Sequence, residues 1–261
     1  MNKIMTCVSV EIKKDFHSKT PLITMIALML VPFIGGFFMM ILKDPTIAEK
    51  MGIISTKAKV LGTNADWPSY LNLLTQAVSV GGLVVFGFVV SWIFGREYSD
   101  RTIKDLLALP ISRNIIVISK FIVFFLWCTI LSISVFLVGL IVGKFINLPG
   151  WSIEVLFSNG MVFIICSLLT VLLSTPVAFF ASFGRGYLSP LGFMIFTLVL
   201  SQIVVAIGFG EFFPWSIPAL ASGLGGAESA TLTNISLSIV VITFSIGLIS
   251  TMLWWRYADQ D

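Results

Sequence analysis

Charge is what this chain has least of. Only 11% of its 261 residues are Asp, Glu, Lys or Arg, whereas 57% are hydrophobic. A soluble domain carries about 25% charged residues, and one of this size has too much surface to cover with so few. The mean hydropathy of +1.02 points the same way. Histidine is nearly absent: His17 stands alone, so a metal centre built on imidazoles is excluded within one chain and a His-based nucleophile triad nearly so. Three cysteines, Cys7, Cys128 and Cys166, form no CxxC pair, and the last two lie in apolar runs. They read as small buried hydrophobes rather than a disulfide or zinc framework. No G-x-x-x-x-G-K-[ST] loop occurs, so no phosphate cradle is expected in this chain.

What is there is a series of long charge-free runs. A membrane helix needs about 20 apolar residues. Six runs qualify, giving spans at about 21–42, 71–94, 121–143, 160–184, 187–210 and 231–255. The expected fold is therefore all-α: one polytopic six-helix membrane domain covering 1–261. No cleavable signal peptide is expected, because the first run begins at Pro21 and is retained as a helix. Lys and Arg divide eleven to five between the two sides, the richer side holding the N-terminus, the 95–120 segment, Arg185 and the tail. Both termini are accordingly expected in the cytoplasm.

Outside the spans, residues 3–19 place Ile4, Val8, Ile12 and Phe16 on one stripe, with Asp15 and Lys19 intruding, which suggests a helix on the inner membrane surface or a plain extension of span one. Residues 43–70 read as a polar outer loop. Residues 211–228 are apolar but broken by Pro214 and Pro218, which fits an outer re-entrant hairpin or an interfacial loop anchored by Trp215.

The spans themselves contain no Asp, Glu, Lys, Arg or His. That argues against proton-coupled pumping and against intramembrane proteolysis, and leaves no catalytic constellation. Their mild polarity consists of Thr75, Gln76 and Ser79, Ser174 and Thr175, and Gln202. Thr75, Gln76, Ser79 and Gln202 either hydrogen-bond between helices or line a pathway. Gly87, Ser91 and Gly95 form a ridge of small side chains suited to close helix approach. Pro32 and Pro176 are expected to kink spans one and four, with Gly35 and Gly36 loosening the former.

The stretch GREYSDRTIKDLLALPISRNIIVISK, residues 95–120, concentrates eight charged residues between spans two and three. Asp100 suits the cap of a short helix from Arg101 to about Leu109, Pro110 ends it, and Ser112 suits the cap of the next helix. Ile103, Leu106, Leu107 and Pro110 share one apolar face, and Glu97–Arg101 and Asp100–Lys104 are spaced as i, i+4 ion pairs. That face is buried either on the bundle base, on the membrane, or on a protein docked from the cytoplasm.

This stretch resembles the membrane subunit of type 2 ABC exporters, with Glu97, Thr102, Leu106, Leu107, Pro110, Arg113 and Lys120 at matching positions. Asp100 and Arg101 replace the small residue that many relatives carry before the Thr. FASFGRGYLSP and FPWSIP resemble the bacitracin-resistance type of permease. The resemblance implies a permease subunit of the bacterial cytoplasmic membrane, working with a second permease subunit, identical or closely related, and with cytoplasmic ABC ATPase subunits. ATP and Mg would be bound by that ATPase and no cofactor by this chain. Glu97, Arg101, Thr102, Ile103, Asp105, Leu106, Leu107, Pro110 and Arg113 would form the ATPase-coupling segment. Membrane lipid and an amphipathic substrate are the further partners expected; nucleic acid is not. The reading from a different class is a membrane anchor or sensor that recruits a cytoplasmic protein without transport.

The topology has a direct test. A cysteine replacing Lys57 should react with an impermeant thiol reagent in intact cells, and one replacing Lys104 should not; the reverse pattern would sink the assignment.

Overall fold

The computed structural model describes residues 3–44, 64–108, 110–224 and 232–258. Most of the expected outer loop, Leu109 and residues 225–231 lie outside the described residues. Ten α-helices and two short 3-10 turns make up the described fold, without strands. They are α1 Lys3–Phe16, α2 Thr20–Lys43, α3 Trp67–Ser99, α4 Ile103–Leu107, α5 Arg113–Phe145, α6 Ile153–Leu173, α7 Pro176–Phe183, α8 Leu188–Ala206, α9 Ile217–Ala221 and α10 Asn234–Tyr257. Six candidate spans result: α2, α3, α5, the α6–α7 pair, α8 and α10. At 1.5 Å per residue, the 33 residues of α3 and of α5 reach about 50 Å, well past the hydrocarbon.

Local chemistry sets the ends. Asp66, Ser152 and Thr233 cap α3, α6 and α10 by accepting the backbone N–H of Ser69, Val155 and Ser236 at 2.9, 3.1 and 3.1 Å. Two cations close helix C-termini from a distance. Lys43 Nζ donates to the Ile146 and Asn147 carbonyls at the end of α5, and Arg113 Nη1 donates to those of Trp255 and Arg256 at the end of α10.

α3 is the central rod. It packs against α2, α5, α6, α7 and α8, and Tyr70, Leu74, Phe86, Val90 and Phe94 on it are fully buried. Gly35 and Gly36 serve contact rather than looseness. A Cβ on Gly36 would stand 2.4 Å from Val142 Cγ1, and one on Gly35 would stand 2.9 Å from Leu73 Cδ2. Pro32 stays inside a continuous α2, and its carbonyl accepts the Tyr70 hydroxyl at 2.9 Å. The ridge of Gly87, Ser91 and Gly95 packs within the bundle, Gly87 against Met194 of α8 and Gly95 against Tyr187 and Gly186.

Span four is broken rather than bent. α6 ends at Leu173 and α7 starts at Pro176, which has no N–H to continue the ladder. Each carbonyl at the break finds another donor. Leu172 O accepts from Thr175 N and Oγ1 at 3.2 and 2.7 Å, and Ser174 O accepts from Val177 N at 3.2 Å. Leu173 O accepts from the Trp215 indole at 3.2 Å. Trp215 belongs to the two-proline segment, which folds back into the bundle through turns at Gly210–Phe212 and Pro214–Ser216 and then α9. Its ring also meets Phe193 edge to face at 5.4 Å.

The break is sealed from behind by α10, whose Gly247 abuts Pro176. A Cβ there would lie 2.6 Å from Pro176 N and 2.9 Å from its Cα, and backbone cannot move aside as a side-chain tip can. Gly247→Ala should therefore destabilise the bundle by about 1–3 kcal/mol through overpacking. Gly81→Ala, whose added methyl meets nothing within 4 Å, should not. Thermal stability of the two purified variants in one detergent, followed by size-exclusion chromatography, checks this.

Candidate functional site: a buried ionic cluster beneath the short helix

Three helices bring six charged side chains together at one end of the bundle. α1 supplies Glu11, Lys14 and Asp15, spaced so that all three face the same way on a 3.6-residue helix. The last turn of α3 supplies Arg96 and Glu97, and the second turn of α5 supplies Lys120. Lys120 is 0% exposed, Glu97 2%, Glu11 4% and Arg96 6%.

The ammonium of Lys120 spends all three donors: on Glu11 Oε2 at 3.2 Å, Glu97 Oε1 at 3.0 Å and the Ile93 carbonyl at 3.0 Å. Arg96 forks across α1, with Nη2 on Glu11 Oε2 at 2.6 Å and Nη1 on Asp15 Oδ1. Lys14 closes the ring from the rim at 3.1 Å from Glu97 Oε1 and 3.6 Å from Glu11 Oε1. Three carboxylates thus face three cations, the balance that burial of charge demands.

The electrostatics of α1 follow from these neighbours. Burial raises the Glu11 carboxyl, but Lys120, Lys14 and Arg96 outweigh it and hold Glu11 below its usual value. Burial also raises Asp15, and the adjoining Arg96 does not fully offset it. Glu11 therefore adds stability above the ordinary carboxylate range, and that contribution is lost as pH falls through its depressed value. Asp15 works in the opposite sense, its contribution present at low pH and lost as pH rises through its raised value.

The short helix attaches to the cluster through Thr102. Thr102 Oγ1 donates to Glu97 Oε2 at 2.6 Å, and the Thr102 amide donates to the Glu97 carbonyl at 2.9 Å. The helix itself is shorter than its sequence suggests. α3 runs on to Ser99, Asp100 becomes the C-cap of α3, and Arg101 takes a left-handed φ of +60°. Thr102 is the N-cap of α4, so the helix begins at Ile103. Arg101 is thereby removed from the register in which it faces Glu97, whose carboxylate turns inward to Lys120. Among the described residues neither the Glu97–Arg101 nor the Asp100–Lys104 ion pair forms.

The apolar face of α4 is turned to the bundle. Ile103 is buried, and Leu106 and Leu107 are half-buried against the core. Arg101, Thr102, Lys104, Asp105, Ala108 and Pro110 are exposed. Ser112 is the N-cap of α5 without a side-chain bond, and Arg113 is engaged with the end of α10. Over the cluster opens a cavity of about 630 Å³, bordered by Lys14, His17, Glu97, Thr102, Asp105 and Leu106.

The polar residues in the spans are dispersed. Thr75 and Ser79 are buried and bond back to the carbonyls of Leu71 and Thr75, each at 2.8 Å. Gln76 donates to Asn72 Oδ1 at 3.1 Å, and Gln202 sits on the exposed face of α8. The structure does not bring Gln202 together with Thr75 and Ser79.

Residues 7–202 match the family model described as ABC-2 family transporter protein. The chain belongs to that family. The matched region holds the whole ionic cluster and α4. This ABC-2 permease is also similar to a bacitracin transport permease protein of Bacillus licheniformis, 28% identical over 179 residues, which are 68% of this chain and 85% of the relative. Family and helices together make it a multi-pass membrane permease subunit of ABC transporters.

Lys120 decides whether the cluster is structural glue. Lys120→Ala leaves three carboxylates against the two cations Arg96 and Lys14 and should cost about 3–5 kcal/mol, the usual penalty for one lost partner of a buried pair. Lys120→Met combined with Glu97→Gln keeps Glu11 and Asp15 against Arg96 and Lys14 and should recover most of that loss. Thermal unfolding of the purified permeases in detergent measures both.

Proposed function

We propose that this permease moves an amphipathic compound, a peptide antibiotic of the bacitracin or lantibiotic kind being the leading substrate class, across or out of a bacterial cytoplasmic membrane. Both termini are cytoplasmic, α1 lies along the inner membrane surface, and the two-proline segment enters from the outer side. A separate ABC ATPase subunit hydrolyses MgATP and drives the movement. A second permease subunit, identical or closely related, completes the path.

The observation that carries this reading is the joint between α4 and the cluster. A push on α4 reaches Glu97 through Thr102, and Glu97 shares Lys120 with Glu11, so α1, α3 and α5 receive it together. The bacitracin permease relative supports the substrate class. Lipid-facing apolar helices without charge in their middles suit an amphipathic cargo better than an ion or a sugar.

Docking on α4 uses its exposed side, because Ile103 is already committed to the bundle. Lys104→Glu with Asp105→Lys should abolish co-purification of the ATPase while leaving the chain inserted. The function is tested in proteoliposomes with labelled bacitracin. Movement is expected with the working ATPase, and neither with the permease alone nor with an ATPase disabled for hydrolysis. Uptake by the permease alone under an ion gradient would overturn the reading, and an unaffected complex in the charge-reversed variant would remove α4 as the docking element.

A further inference from the structure

The end of the bundle remote from the ionic cluster carries a feature that the transport reading leaves unused. Lys144 lies 24 residues along α5 from Lys120, about 36 Å at 1.5 Å per residue, which places it at the opposite membrane interface. A cavity of about 440 Å³ opens there between the start of α3 and the end of α5, lined by Trp67, Trp151, Leu140, Ile141, Lys144 and Asn147.

Its walls are fixed. Trp67 N donates to the Pro149 carbonyl at 3.0 Å, tying α3 to the α5–α6 connection. Lys43 holds the Ile146 and Asn147 carbonyls at 3.0 and 2.9 Å, and Trp67 and Trp151 meet edge to face with ring centroids 4.6 Å apart. Of the lining residues Lys144 alone is ionisable, and among the described residues it forms no ion pair. The nearby Asp66 carboxylate is occupied in capping Ser69. Ile141 is 67% exposed, so the apolar wall continues onto the surface that meets hydrocarbon.

We infer that this cavity binds the phosphate head of an anionic glycerophospholipid, with Lys144 as its cation, the two indoles at headgroup depth, and an acyl chain along Leu140 and Ile141. A cation with no ion-pair partner among the described residues, beside an aromatic pair and an apolar wall, is complementary to an anionic amphiphile, and tryptophan and lysine are the side chains that favour the interface. The site is independent of the ATPase and of the cargo.

The test uses the full chain in vesicles of neutral lipid doped with brominated phosphatidylglycerol or brominated phosphatidylcholine, with tryptophan fluorescence as readout. The wild type should show about a fivefold preference for the anionic quencher, the worth of one lysine beside an anionic headgroup. Lys144→Gln should abolish the preference. Trp151→Phe should reduce the selective part of the quenching, Trp67 remaining as the second indole of the site, and Lys19→Gln, at the other end of the molecule, should leave the preference intact. Inorganic phosphate in excess should not compete. Equal quenching by the two lipids, a preference surviving Lys144→Gln, or loss of it in Lys19→Gln would each overturn the site. Competition by free phosphate would replace the lipid with a simple anion and likewise overturn the proposal.

Discussion

The arrangement at the α1 end of the bundle depends on where the Lys120 ammonium goes. A buried cation without partners costs several kcal/mol even after relaxation. Lys120 sits two turns into a helix that must also pack its apolar face, so the charge cannot be turned to solvent without unpacking α5. Glu97 is the acid within reach on α3, and it brings Arg96 with it on the neighbouring position. Arg96 then needs its own carboxylates, and α1 supplies Glu11 and Asp15. The placement of α1 is thus a consequence of charge accounting: without it, the α3–α5 contact carries two cations against one carboxylate.

A parallel constraint operates at the middle of span four. In hydrocarbon an unbonded carbonyl has no water to turn to, so a proline-terminated helix needs donors from elsewhere in the protein. Thr175 supplies some of them locally, and the Trp215 indole supplies one from 42 residues away. The two-proline segment is held inside the bundle by that bond and by the packing of Trp215 on Phe193. The break at Pro176 and the two-proline segment thus satisfy each other through Trp215.

The six spans were legible because the signal for them is local: a run of about 20 uncharged residues is sufficient. The Gly87–Ser91–Gly95 ridge was legible for the same reason, since small residues at helical spacing announce a close contact whatever the partner is. Partner identity was not. Glu11 and Arg96 are 85 residues apart and Glu11 and Lys120 are 109 apart, and no periodicity links positions on three separate helices. One clue was present. Asp15 interrupts the apolar stripe of α1, and an acid on a buried face requires a cation; Arg96 is that cation. The i, i+4 spacing of Glu97 and Arg101 misled because the helix ends between them. Ion pairs on an exposed turn are worth only a few tenths of a kcal/mol, whereas satisfying the buried Lys120 is worth far more, so Glu97 turns inward.

The same comparison of magnitudes bears on how force reaches the membrane. The apolar face of α4 lies largely on the bundle, so in the coupling role proposed above α4 is a lever rooted in the protein rather than a free peg. Ile103 anchors it by packing, and Thr102 anchors it by a hydrogen bond to a carboxylate that is itself held by Lys120 and Lys14. A lever rooted only in apolar contacts can slide, because dispersion is non-directional and a small shift costs little. A lever rooted in a charged network cannot slide far, since separating Glu97 from Lys120 by even a water's width exposes both to an environment that does not solvate them. On that proposal displacement of α4 is borne by the ends of α1, α3 and α5 as a unit, and yielding is left to parts without such ionic ties, among them the broken middle of span four, closed by neutral hydrogen bonds and the fit of Gly247.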